Sequence, residues 1–485
     1  MAIYVLECGP SKNGLGHAAG RMLGKKENWG TSLMQIEFVN HASVVIDTGT
    51  CRILCDPWII GRAFDDGWAL LSESRFQPDD FGRITHIWFS HEHSDHFHIP
   101  SLKSIPQEHL QNITVLYQQT RDKKIVEYCR KLGFADVREL RQGCWETLAP
   151  DVELYCKAQE DGWGSADSWL CVKTPDATIL NLNDSDVVLA EDAEEIAAVA
   201  GKVDVLLTQF SYASWQGNVD DVAGRLAYVK EKLEEVQLQT NTVKADYLIP
   251  FASFVWFCHR DNFYLNHDAS RIDNVRDYIA TETVAEPIVM YPGDVWQPGT
   301  EHDSESAIER YVADYAVVGS KDPGSFSSDK PVAIDELQAA CVSFQAKLAK
   351  HAPPRALRSY IARLQCDEDH RNGNYPRWHR ALRLALAAIF PRVPDTTIFL
   401  NDHEQAFRFG LTTGLHAVEA GKGECDIHVT SGSLLYAFKY LFGGQSLAIN
   451  GRFQEGRPGG HFSFFRLFKL SFRINEGIVP GFSTR

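Results

Sequence analysis

"HEHSDHFHIP", residues 91–100, sets four histidines and two carboxylates within the eight positions His91 to His98, in a chain of 485 residues that holds only 18 histidines. Imidazoles crowded this way repel one another once protonated and cost free energy to bury. A divalent metal resolves both problems, because neutral imidazoles and carboxylates become favourable neighbours when they share a cation. His91, His93, Asp95 and His96 fit the spacing H-x-H-x-D-H. "RITHIWFS" (83–90) ahead of them reads as a short buried strand that delivers the loop to a sheet edge.

Working outward, "MQIEFVNHASVVIDTGTCRILCDPW" (34–58) gives apolar runs broken by polar turns, and further strands read in "NITVLY", "VELYCKA", "SWLCVKT", "TILNLND", "DVLLTQF" and "DYLIPF". Helical periodicity alternates with them: Val222, Leu226, Val229, Leu233 and Val236 recur at spacings of three and four, the stripe of a surface helix. The mixture predicts an α/β layered domain over residues 34–318. "GSKDPGSFSSDKP" (319–331) reads as a linker, and a smaller α+β domain is expected over 335–485. There, Leu337, Cys341, Phe344 and Leu348 mark a helix, "SLLYAFKYLF" another, and "SLAINGRF" a strand, while the phenylalanines of "HFSFFRLFKLSF" read as core.

Composition narrows the function classes. Hydrophobic residues at 44% and charged residues at 23% are ordinary globular values, and a formal net charge of -16 argues against nucleic acid and anionic membranes as partners. Eleven scattered cysteines without a C-x-x-C pair predict a reduced, cytoplasmic protein. The start, "MAIYVLECGPSK", lacks the pattern of a signal peptide, and no apolar run approaches the ~18 residues of a membrane span. The longest, "ALRLALAAIF", reads as an amphipathic helix.

With these residues in view, the chain resembles the metallo-β-lactamase fold superfamily over roughly residues 34–300, which implies an αββα sandwich. The resemblance implies that His91 and His93 bind a first metal and Asp95 and His96 a second. "FVNHASVVID", with His41, resembles the strand that opens the domain in the lipid-phosphodiesterase and sugar-lactonase branches, and "CDPW" supplies an early structural aspartate, Asp56. "TILNLNDSD" stands where the family places its bridging carboxylate, giving Asp184 first and Asp186 second; Asp184 and His41 are the catalytic candidates. "FASFVWFCHRDNFYLNH" offers His259, ahead of His267, as the last ligand. One departure stands out: no histidine lies between His109 and His259, so the family's third histidine on the first metal is missing. "QEDGWGSADSW" (159–169) occupies that place, and either Glu160 or Asp161 ligates instead or water completes the shell. A carboxylate there shifts preference from zinc toward iron or manganese.

Two reactions follow from the resemblance. Two zinc ions would activate a bridging water for hydrolysis of a phosphodiester, lactone or thioester. Two iron ions with dioxygen as co-substrate would make a monooxygenase. "CDPWIIGRAFDDGWALLSES", "THIWFSHEHSDHF" and "LNLNDSD" resemble the metallo-β-lactamase-like part of CMP-N-acetylneuraminate hydroxylase and the non-heme diiron monooxygenases of platensimycin-type biosynthesis, which favours the second and implies a large, activated anionic substrate. The Rieske pairing of Cys-x-His with Cys-x-x-His is absent, since no Cys-x-His occurs, so electrons are expected from a separate reductase or ferredoxin. The C-terminal region resembles a sterol-carrier-type domain, which implies an apolar pocket, a lid or a homo-oligomer contact. Arg260, Tyr212 and Trp215 are the substrate-binding candidates, Arg260 being suited to a phosphate or carboxylate.

Overall fold

The computed structural model describes residues 34–160, 166–326, 330–351, 379, 382, 385 and 395–477. One seven-stranded sheet runs, edge to edge, Val295–Trp296, Gln35–Asn40, Ser43–Asp47, Arg52–Cys55, His86–Phe89, Thr114–Gln118 and Asp136–Leu140. A second seven-stranded sheet runs Glu286–Pro287, Tyr247–Phe251, Val205–Gln209, Thr178–Asn183, Ala166–Lys173, Val152–Glu160 and Cys144–Ala149.

Strand alternation explains the layering. Successive residues point to opposite faces, so Val44 and Ile46 join Leu154, Leu170 and Ile249 in the core between the sheets, while Val45 faces outward with Leu54 and Ile87 onto Leu102, Ile125 and Val126 of the covering helices. On the far face of the second sheet, Ile196, Val236 and Ile279 come from the helices Ala190–Ala200, Val222–Val243 and Ile272–Glu282. The result is helix, sheet, sheet, helix: the αββα sandwich expected from the resemblance.

The Val222–Val243 helix differs from its predicted stripe at one end. Val236 is buried, but Val222 and Leu226 are 44% and 52% exposed, because the first turns pack through another face, on which Arg225 is buried with its Nε bonded to Asp268 (2.7 Å).

Toward the C-terminus a five-stranded sheet, ordered Gly414–Val418, Gln405–Gly410, Thr396–Leu400, Ile427–Val429 and Phe453–Glu455, packs on helices including Ile334–His351 and Ser431–Lys439. Leu337, Cys341, Phe344 and Leu348 form one wall of its core, and Phe464, Phe465 and Phe468 fill it. "SLAINGRF" does not form the expected strand. Gly443–Asn450 is a helix, closed by Gly451 in the left-handed region (φ 66°), and only Phe453–Glu455 is extended. "ALRLALAAIF" lies, apart from Leu382 and Ala385, outside the described residues. Among the described residues no helix is long and apolar enough to cross a membrane.

Candidate metal centre

The buried strand His86–Phe89 ends at Ser90, and the chain then turns tightly, with the amides of His96 and Phe97 both donating to the His93 carbonyl (3.1 and 2.8 Å). That turn folds His91, His93, Asp95 and His96 back over the sheet edge. The fourth histidine of the stretch does something else. His98 caps the helix Ile99–Lys103, its Nδ1 accepting from the Ser101 amide (3.2 Å), and burial drops its pKa to about 4, so the ring stays neutral and keeps that acceptor.

Three overlapping groups of ligand atoms converge, each within 4.8 Å: His91, His93 and Asp167; His41, Asp95 and His96; and His91, His96 and Asp184. In the first, His91 Nε2 faces His93 Nδ1 at 2.8 Å. In the second, Asp95 Oδ2 lies 3.2 Å from both His41 Nε2 and His96 Nε2. Asp184 Oδ2 is 3.1 Å from His96 Nε2, and its Oδ1 accepts from Gln209 Nε2 at 3.0 Å. Asp184 therefore touches one member of each of the other two groups, the position a carboxylate shared by two cations would take.

A buried layer orients these ligands. Asp56 is fully buried and accepts from the Ser90 amide (2.8 Å), the Ser90 hydroxyl (2.7 Å) and Asn183 Nδ2 (2.6 Å), with His96 Nδ1 at 3.0 Å. Holding Nδ1 as a donor leaves Nε2 as the nitrogen that ligates once its proton is lost. His41, Asp56, Asn183 and Ala252 all have positive φ (32°, 39°, 53° and 50°). Such backbone strain is tolerated where the surrounding structure enforces it, and here it turns each chain sharply at the ends of the strands that carry the site.

The expected residues divide as follows. His91, His93, Asp95, His96 and Asp184 come together, with His41 beside them, whereas Asp186 is exposed. His259 belongs to none of the three groups: its backbone amide donates to Asn262 Oδ1 (2.9 Å) and its Nδ1 accepts from the Asp261 amide (3.2 Å), and His41 is the histidine grouped with Asp95 and His96. His267 is exposed. Glu160 ends a strand and its side chain is not described, while Asp161 lies outside the described residues.

The carboxylate beside His91 and His93 is Asp167, which the sequence reading missed although it stands in the stretch "QEDGWGSADSW". No local signal marks it: the amide and the hydroxyl of the next residue, Ser168, both donate to the Ser90 carbonyl (3.3 and 2.5 Å), and this tertiary contact pins Asp167 against the histidine loop. Tyr212 is buried among aromatic rings and donates to the Leu265 carbonyl, and Trp215 packs on Phe453 (4.8 Å), so both rings serve as packing; Arg260 is exposed.

The donor set fits a pair of cations. Asp95 Oδ1 is buried without a hydrogen-bond partner among the described residues, a cost that a cation held by this carboxylate removes. Burial disfavours charge on His96, but Asp95 and Asp184 outweigh it and hold this imidazole well above the usual histidine value; burial with His96 and His93 nearby holds His91 well below it. In the metal-free chain at neutral pH His96 is thus protonated and His91 neutral. Metal uptake must expel the His96 proton, so affinity should rise with pH until His96 deprotonates by itself. Calorimetry in buffers of different ionisation enthalpy should show proton release at pH 7; none would contradict the assignment of His96.

The site opens through a narrow mouth lined by His91, His93 and Asp167 on one side and by Phe472 and Glu476 on the other. Glu92 and Lys124 pair at its rim, and Lys124 Nζ donates to the Asn475 carbonyl (2.7 Å), so the C-terminal helix Lys469–Asn475 forms part of the entrance.

Comparison with known proteins adds the following. Residues 35–209 match the family model described as "Beta-lactamase superfamily domain". A Mycobacterium tuberculosis protein named as a putative Rieske 2Fe-2S iron-sulfur protein is 28% identical over 254 residues, covering 50% of this chain and 48% of that protein. The cytidine monophosphate-N-acetylneuraminic acid hydroxylase of Mus musculus is 40% identical over 78 residues, 15% of this chain and 13% of the hydroxylase. Among solved structures, CmlA, a diiron beta-hydroxylase from Streptomyces venezuelae, is similar at a TM-score of 0.40 and 17% identity, over 55% of this chain and 54% of that one. The chain spans about half the length, or less, of these curated relatives.

Proposed function

We propose, for a chain whose residues 35–209 form a β-lactamase superfamily domain, that the protein is a non-heme diiron monooxygenase that hydroxylates a large activated substrate, an acyl thioester or a nucleotide-linked molecule. The observation that carries this reading is the convergence of His91, His93 and Asp167: two imidazoles and one carboxylate are the donor set that suits a non-heme iron oxygenase. The stretch shared with the sialic-acid hydroxylase supports the same direction.

Two irons, when bound, supply the reduction of dioxygen, one atom entering a substrate carbon–hydrogen bond and the other leaving as water as two electrons and two protons are consumed. His91, His93 and Asp167 would hold the first iron and His41, Asp95 and His96 the second, with Asp184 within reach of His91 and His96. Asp56 keeps His96 in the ligating tautomer. Phe472 narrows the mouth against water. The electrons come from an external reductase, ferredoxin or Rieske-type carrier; the names of the mycobacterial relatives support an iron–sulfur donor.

Metal analysis of protein purified without added metal tests the reading. About two irons per chain, with an absorption band that changes on reduction and exposure to oxygen, is the expected result. Zinc in their place, with turnover of a generic phosphodiester or thioester in the absence of reductant, would instead make it a dinuclear zinc hydrolase. The Asp167→His variant should exchange iron for zinc and lose hydroxylation, because a third imidazole replaces the hard oxygen donor; retained iron and activity would remove Asp167 from the ligand set.

A further inference from the structure

Two adjoining cavities, of about 540 and 260 Å³, form a cleft that runs from Asn401 and Phe453 of the C-terminal sheet region to the turn after Phe257. They share Lys321, with Arg260 in the larger cavity and Arg62 in the smaller; Arg452, which also lines the larger, is buried and paired with Asp65 (3.0 Å), and among the described lining residues the one carboxylate is Asp261. In a chain of formal net charge -16 this is a local reversal of sign. Among the described residues Arg62, Arg260 and Lys321 have no carboxylate partner, and Lys321 Nζ instead sits over the Trp256 ring at 5.4 Å. Cations gathered around one concavity repel one another unless an anion joins them.

The walls are aromatic. Trp256 and Phe326, both partly exposed, line the smaller cavity, and Phe326 packs on Phe263 (5.4 Å), which with Tyr264 and Phe453 backs the larger one as buried rings. Guanidinium forks match phosphoryl oxygens, and flat rings stack on such walls. The larger volume is that of an ordinary small-molecule site.

We infer that this cleft binds a ligand that joins more than one phosphoryl group to a flat ring, a nucleotide or a nucleotide-bearing coenzyme, with Arg260 and Lys321 on the phosphoryl groups. The inference stands on the cleft's own geometry and is independent of which metal the other site holds. The cleft also abuts the metal loop through one segment. Arg452 Nη1 donates to the Asp65 carbonyl (2.7 Å), Asn450 Nδ2 to the Phe64 carbonyl (3.0 Å), and the Phe64 amide to Ser94 Oγ (2.9 Å), between His93 and Asp95.

Isothermal titration of the metal-loaded full chain with ADP and with inorganic pyrophosphate tests the inference. ADP should bind more tightly than pyrophosphate, and more weakly as salt is raised. Arg260→Gln and Lys321→Gln should each weaken ADP by about tenfold, with metal content and thermal melting unchanged. His93→Ala, which removes a metal ligand, should leave ADP binding in place, which separates this site from chelation by the metals. No saturable ADP binding, or ADP binding lost in His93→Ala but kept in the Arg260 and Lys321 variants, would overturn it. Pyrophosphate binding as tight as ADP would overturn the role given to the ring.

Discussion

Replacing Asp184 by alanine is expected to empty the centre and reduce turnover by about a thousandfold or more. Among the described residues Asp184 is the one carboxylate grouped with both His91 and His96, while Gln209 Nε2 (3.0 Å) fixes its second oxygen. Removing it leaves two clusters of imidazoles facing each other without the anion that lets two cations sit side by side. Its side chain is 15% exposed, so the loss should fall on metal content rather than on folding. Metal analysis and a melting curve on the same preparation separate the two effects. Full metal content in Asp184→Ala would take it out of the bridging position.

Asp56→Ala should act in the opposite order, on stability first. The Ser90 amide, the Ser90 hydroxyl and the Asn183 amide all donate to this one buried carboxylate, which also partners His96. Truncation strands those donors in the protein interior, at a cost of about 3–5 kcal/mol, a large share of the stability of an ordinary domain. Asp56→Asn separates the roles. It keeps the shape but presents an amide in place of one acceptor, and metal affinity should fall about 10–100-fold through misorientation of His96, with a smaller change in melting. A variant that melts like the parent and binds metal equally well would show that His96 is oriented by something else.

Much of the site was legible in the sequence because its ligands are local. H-x-H-x-D-H lies on one tight turn, and the strand ahead of it is apolar enough to be recognised alone, so the loop and its chemistry travel together. Asp184 was legible for a related reason: it follows directly on the wholly buried strand Thr178–Asn183, and its place depends on one strand end only. The alternation of strands and helices gave the layered class, because a period of two and a period of 3.6 are each written in neighbouring residues.

What the sequence left open involves approach across the fold. Asp167 becomes a ligand candidate because Ser168 is tied to the Ser90 carbonyl, a contact between residues 78 positions apart. His41 stands next to Asp95 because the His41 carbonyl accepts from Ala252 (2.9 Å) at a strained turn, while His259 is bonded into its own turn with Asn262 and Asp261. The mouth of the site is completed by Phe472 and Glu476, from the opposite end of the chain.

The sequence by itself therefore determined the fold class and the histidine core of the centre, since both follow from periodicity and spacing within single segments. Only the tertiary structure decided which carboxylate and which distant histidine complete that centre and what surrounds its entrance. Side chains distant in sequence meet only when the two sheets pack, and packing is set by the whole core rather than by any one stretch.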